Sequence, residues 1–119
     1  MTSTAILEHL PPRRKNQPCC ADLHAPSLTE PRSAALADRL KAVADPTRLR
    51  ILDLLAQQPE PICVCDITPR FGQNQPTISH HLKLLRDAGL IATEKRGVWS
   101  YYWTTEAGTR LLALVSTLD

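Results

Sequence analysis

No stretch of this chain approaches the roughly 20 consecutive apolar residues that a membrane-spanning helix needs. A transmembrane protein is therefore not expected. The opening residues, MTSTAILEHLPPRRKN, lack the form of a secretory signal. Their apolar stretch is short and interrupted, and the basic residues follow it instead of preceding it. The expected compartment is the reducing cytoplasm, where grouped cysteines serve as ligands or redox thiols more often than as structural disulfides. A strong charge bias is also missing. Fourteen Lys and Arg against twelve Asp and Glu leave a net charge of +2 and a pI near 8.5. That balance permits nucleic-acid binding without demanding it, since a compact reader usually shows a stronger basic excess. No cofactor motif is present, and no candidate nucleophile has a positioned base, so an enzyme is not expected.

What the chain does have is four cysteines in two tight pairs, within 119 residues that suit one domain. Cys19-Cys20 lie in a leader with Pro11, Pro12, Pro18, Pro26 and Pro31 and little periodicity. Residues 1–32 read as a flexible arm, with a turn of helix at Ala5–Leu10. Residues 33–119 read as the folded domain. Leu36, Leu40 and Val43 follow helical spacing, which predicts a helix over Ser33–Ala44 with one apolar stripe. Asp45-Pro46 is a cap followed by a first-position proline. Leu49, Leu52 and Leu55 then mark the buried face of a second helix.

Cys63-Val64-Cys65 open a short third helix. Cys63 takes the N-cap place and Asp66 the position of a capping-box acid. Ile67 and Phe71 point inward and Gly72 closes the element. Asn74 caps a helix that carries Ile78, Leu82 and Leu85 and stops at Ala88-Gly89. Two helices joined by a tight glycine-containing turn make a helix-turn-helix. From Ile91 to Thr104 the period changes from 3.6 to 2, and the segment Val98–Trp103 is aromatic and β-prone. With Lys95-Arg96-Gly97 at its tip, this is a wing. Thr104 or Thr105 caps a last helix whose Leu111, Leu112, Leu114, Val115 and Leu118 exceed what one small domain buries. A homodimer interface, shared with the Ser33–Ala44 helix, is the expected use. The fold class is thus mostly α with a β-hairpin wing, a homodimeric winged helix-turn-helix.

The outer side of the Asn74–Ala88 helix carries Gln75, Thr77, Ser79, His80 and Lys83. Gln can read adenine, hydroxyls can serve bases or phosphates, and Lys neutralises phosphate. Lys95 and Arg96 would reach flanking backbone or minor groove from the wing. Adjacent histidines diverge by about 100° on a helix, so His80 and His81 do not chelate one ion easily. His80 is the DNA or phosphate contact and His81 a half-buried packing residue.

These residues carry a resemblance. Ala44-Asp45-Pro46-Thr47-Arg48-Leu49-Arg50-Ile51-Leu52, Ile62-Cys63-Val64-Cys65-Asp66-Ile67, Gln75-Pro76-Thr77-Ile78-Ser79-His80-His81-Leu82-Lys83 and Leu85-Arg86-Asp87-Ala88-Gly89-Leu90 resemble the ArsR/SmtB family of metal-responsive repressors. The likeness runs from about Ala35 to Tyr102. It implies a homodimer on a palindromic operator, released when metal binds and derepressing resistance genes.

A thiol at a helix start is favoured as thiolate, which predicts a lowered pKa and metal affinity at Cys63 and Cys65. Within a regular helix the two would diverge by about 200°. With Cys63 still non-helical, both sulfurs can face one ion. Arsenic-responsive members of the family often carry Cys-Val-Cys-Asp-Leu-Cys here, whereas this chain has Thr68 at the third position. Two thiolates make an incomplete site for As(III) or Sb(III). Cys19 and Cys20 can complete it, because about a dozen residues of arm extend roughly 40 Å. An arm with cysteines also resembles the cadmium and lead sensors, in which four sulfurs suit Cd(II), Pb(II) or Zn(II). The adjacent spacing of Cys19 and Cys20 favours As(III) or Sb(III). Soft thiolates exclude magnesium, calcium and manganese on either reading. A thiol redox switch and a permanent zinc clamp remain as alternatives. The family's second zinc site, with His and carboxylate ligands on the last helix, is not expected, because residues 108–119 hold no His.

Overall fold

The computed structural model describes residues 8–17 and 22–119. Residues 5–7 of the helical turn expected at Ala5–Leu10 fall outside them, and so do Cys19 and Cys20; residues 8–10 form a turn and a bend. Helix α1 spans Glu30–Val43, α2 Pro46–Gln57, strand β1 Ile62–Cys63, α3 Val64–Ile67 with a 3-10 turn at Thr68–Arg70, and α4 Gln75–Asp87. Strands β2 (Ile91–Arg96) and β3 (Trp99–Thr104) precede α5 (Glu106–Val115) and a final 3-10 turn, Ser116–Leu118.

Local chemistry explains most boundaries. Asp45 accepts from the Arg48 amide at 3.0 Å, and Pro46 follows at the first position of α2. Asn74 caps α4 by accepting from the Thr77 amide at 2.9 Å. Thr105 caps α5, and its hydroxyl also donates to the Gly89 carbonyl at 2.6 Å. Gly89, just past α4, has φ of 75°, the left-handed end that glycine permits. One boundary differs from expectation. Thr29, not a residue near Ser33, caps α1 by accepting from the Arg32 amide, and Pro31 lies in the first turn. A proline that reads as leader is here a helix starter.

The wing is a three-stranded antiparallel sheet in the order β1-β3-β2. The β2–β3 ladder runs from Ile91 opposite Thr104 to Arg96 opposite Trp99. Gly97 and Val98 form the tip, so Lys95 and Arg96 end β2 beside it. The third strand was not legible in the sequence. Ile62 pairs with Tyr102 and Cys63 with Tyr101.

Ile51, Leu52 and Leu55 of α2, Ile67 of α3, Ile78, Leu82 and Leu85 of α4, and Leu90 and Ile91 form one buried cluster. Among the described residues no polar or charged side chain is buried with it. Helix α5 packs on this core through Gly108. A Cβ there would lie 2.0 Å from the Leu90 carbonyl oxygen and 3.3 Å from Leu52. The apolar stripe of α1 is only partly covered by its own chain. Val43 is buried, whereas Leu36 and Leu40 are 40% and 51% exposed.

Two outcomes test this account. Gly108→Ala should destabilise the fold by about 1–3 kcal/mol or more, as overpacking against backbone does, read as a lowered Tm. Asp45→Ala should cost about 1 kcal/mol. The Arg48 amide and its charge hold the Asp45 carboxyl below its ordinary value. The carboxylate's contribution is therefore present above the ordinary carboxylate range and lost as pH falls through the lowered value. Acid titration of unfolding should show a smaller drop in the alanine variant.

Candidate thiol site and DNA interface

β1 ends and α3 begins at Cys63, whose backbone is still extended (φ −70°, ψ 143°). Its sulfur takes the place of a capping oxygen, accepting from the Cys65 amide at 3.4 Å. The Cys65 thiol donates to the Cys63 sulfur, with the two sulfurs 2.7 Å apart. The non-helical cap thus turns both sulfurs the same way, as the sequence argument required. Cys63 is buried and Cys65 exposed, so the pair presents one shielded and one accessible sulfur.

The proton balance differs from expectation. The Cys65 thiol is pushed up, not down, first by its hydrogen bond to Cys63, then by desolvation and the Asp66 carboxylate. Four residues of helix align few peptide dipoles, too few to outweigh those effects. Thr68, where the third thiol of the arsenic-type segment would stand, donates its hydroxyl to the Val64 carbonyl at 2.9 Å. It holds the helix rather than a ligand. Among the described residues, no group of three or more His, Cys, Asp or Glu side chains is placed to hold a metal ion. Cys63 and Cys65 bring two soft sulfurs together, which is chemically suited to a thiol-seeking ion.

The polar face of α4 lies opposite its buried Ile78, Leu82 and Leu85. Gln75, Thr77, His80 and Lys83 are exposed, whereas Ser79 is half-buried on the flank. Lys95 and Arg96 are exposed at the end of β2. Two of these cations are paired. Lys83 contacts Asp87 at 2.8 Å and Arg96 contacts Glu94 at 2.8 Å. Both pairs are exposed and weakened by solvent and salt, so phosphate can displace them. His80 and His81 diverge, with ring centroids 6.4 Å apart. His81 is half-buried and lies 3.3 Å from the Arg48 guanidinium. Arg48 received no role from spacing, because its partners lie 6 and 33 residues away. Gln73, ahead of α4, donates to the Thr47 hydroxyl at 3.2 Å, so the first turn of α2 meets both α4 and the segment that leads into it.

The geometry of a helix-turn-helix with an attached wing agrees with what the chain is similar to. Residues 45–93 match the family of bacterial regulatory proteins described as the arsR family. A helix-turn-helix-type transcriptional regulator of Methanocaldococcus jannaschii, itself uncharacterised, is 46% identical over 83 residues, 70% of this chain and 90% of its own length. The chain belongs to the ArsR family. The arsenical resistance operon repressor of Bacillus subtilis is 48% identical over 64 residues, 54% of this chain and 60% of the repressor. The match thus spans less than two thirds of that relative. The solution structure of a homodimeric winged helix-turn-helix DNA-binding domain from Mycobacterium bovis superposes with a TM-score of 0.66 at 34% identity. That likeness covers 77% of this chain and 87% of the other. This ArsR-family chain is accordingly a DNA-binding transcriptional regulator and not an enzyme. No helix among its described residues is long and apolar enough to cross a membrane.

Alkylation tests the thiol geometry. The rate of Cys65 modification by iodoacetamide should rise with a midpoint above that of an ordinary thiol. Cys63→Ala removes the acceptor sulfur and should move that midpoint down, at unchanged Cys65 exposure.

Proposed function

We propose that this chain is a cytoplasmic transcriptional repressor that binds a palindromic operator as a homodimer and leaves it when As(III) or Sb(III) binds its cysteine thiolates. The observation that carries this reading is the convergence of Cys63 and Cys65 on α3, the first helix of the reader. The similarity to an arsenical resistance operon repressor supports the choice of ion. Cys19 and Cys20 on the arm complete the set of thiolates. Gln75, Thr77, Ser79, His80 and Lys83 face the major groove, with Lys95 and Arg96 on flanking backbone.

The dimer reading rests on uncovered apolar surface. A groove of about 510 Å³ between α1 and α5 is lined by Leu36, Leu40, Leu90, Leu111 and Leu114, with Arg39 and Arg110 beside them. Leu114 and Leu118 are 66% and 81% exposed in the single chain. A second copy related by a two-fold axis buries both helices and spaces two reading helices along the duplex.

Release follows from where the thiols sit. Cys63 is at once the last residue of β1 and the cap of α3. Tying its sulfur to the arm constrains α3 and, through the Cys63–Tyr101 pairing, the wing strand β3. A coupling of about 1–3 kcal/mol between thiol site and operator changes affinity roughly 5–150-fold. The sulfur contact also favours a second reading, a redox switch in which a peroxide takes two thiols to a disulfide and is itself reduced to water or alcohol. A four-thiolate Cd(II)/Pb(II) sensor is the remaining variant.

Cys63→Ser should keep operator affinity and lose arsenite-induced release, followed by fluorescence anisotropy of a labelled duplex. Release of the serine variant by arsenite would refute the site. Parallel titrations with arsenite, cadmium and peroxide separate the three inducers, and X-ray absorption should count three sulfurs around arsenic. Lys95→Ala should weaken binding to all sequences and lower the salt slope by about 1. Gln75→Ala should instead cost about 1–3 kcal/mol at one base position.

A further inference from the structure

Arg48 stands in the first turn of α2, yet its guanidinium binds two other elements. Nε donates to the Ala42 carbonyl at 2.6 Å and Nη2 to the Lys41 carbonyl at 3.4 Å. Both carbonyls belong to the last turn of α1, where helices leave acceptors in need of donors and favour a cation. Nη1 lies 3.3 Å from Nδ1 of His81, near the middle of α4. A guanidinium can only donate. Nδ1 of His81 is therefore the lone-pair nitrogen, and the ring proton rides on Nε2. Asp45 accepts from the Arg48 amide and adds a negative charge beside both Arg48 and His81.

The consequence concerns aim. His80 and His81 are consecutive and leave the helix about 100° apart. The buried face of α4 sets its rotation, and holding His81 inward trims it, and with it the aim of His80 and of Lys83 one turn on. The held end is also the end of α1, the helix that carries the uncovered Leu36 and Leu40.

We propose that Arg48 is a positioning residue for DNA reading: its guanidinium clamps His81 of α4 to the C-terminal carbonyls of α1, tying the reading helix to the dimer helix. The proposal rests on the repressor reading above. The clamp requires neutral His81. A proton on Nδ1 removes the acceptor and sets a second cation beside the guanidinium. Asp45 and Arg48 of α2 and His80 of α4 lie beside His81, and Asp38, Lys41 and Asp87 line the cavity next to Arg48.

The test uses the full chain and a duplex selected by the wild-type protein from a random-sequence pool. Arg48→Lys keeps the charge but loses the fork, and His81→Leu loses the acceptor. Each should lower affinity about tenfold, and the double variant should be no worse than either single one. His81→Asn keeps an acceptor oxygen near the Nδ1 position and should recover most of the affinity lost in His81→Leu. Additive losses in the double variant, or no recovery of affinity in His81→Asn, would overturn the clamp. Amide exchange across residues 78–85 should quicken in Arg48→Lys without any DNA present. If no duplex is selected, the repressor reading fails, while unchanged exchange refutes the clamp independently.

Discussion

Helices α2 and α4 pack through Ile51, Leu52 and Leu55 on one side and Ile78, Leu82 and Leu85 on the other, all essentially removed from water. Burying each such side chain contributes about 1.5–3 kcal/mol, far more than any exposed ion pair of the reader. This apolar contact decides which side of α4 is inside. The exposed positions of Gln75, Thr77, His80 and Lys83 then follow from helical geometry alone. The polar ties, Arg48 to His81 and Gln73 to Thr47, are added to a contact that already exists. They trim its rotation instead of creating it.

The thiol pair depends on a different constraint, the junction at Cys63. One residue serves as strand end, helix cap and the sulfur that accepts from Cys65. A capping residue with an oxygen would serve the helix better, so the sulfur is kept at a cost to the helix start. Because Cys63 lies opposite Tyr101, the site touches both parts of the DNA reader: α3 leads into α4, and β3 leads to the wing tip.

Much of the fold was legible because its signals are local. Asp45-Pro46, Asn74 and Thr105 start helices through bonds that close within three or four residues. Gly89 ends one for the reason that only glycine adopts its φ without strain. The convergence of Cys63 and Cys65 was legible for the same reason, since it depends only on a cap being non-helical. The raised pKa of Cys65 was not, because it arises from which sulfur holds the proton and from Asp66 beside it. The start of α1 was misplaced because Pro31 serves equally as linker and as first-turn residue. Only the Thr29 side-chain bond distinguishes the two.

By itself, the sequence determined the order of helices, most of their caps, the exposed polar face of α4 and the pairing of two thiols at one helix start. These rest on contacts within a few residues and on the periodicity of burial. Tertiary structure alone decided the rest. The two residues of β1 have no periodicity of their own and become a strand only because β3 offers an unpaired edge. Arg48 finds Ala42 and His81 only when α1, α2 and α4 have packed. Leu36 and Leu40 of α1 prove uncovered only when the core is seen to take Val43 and leave them out. In each case the deciding partner is distant along the chain, and no local rule specifies a distant partner.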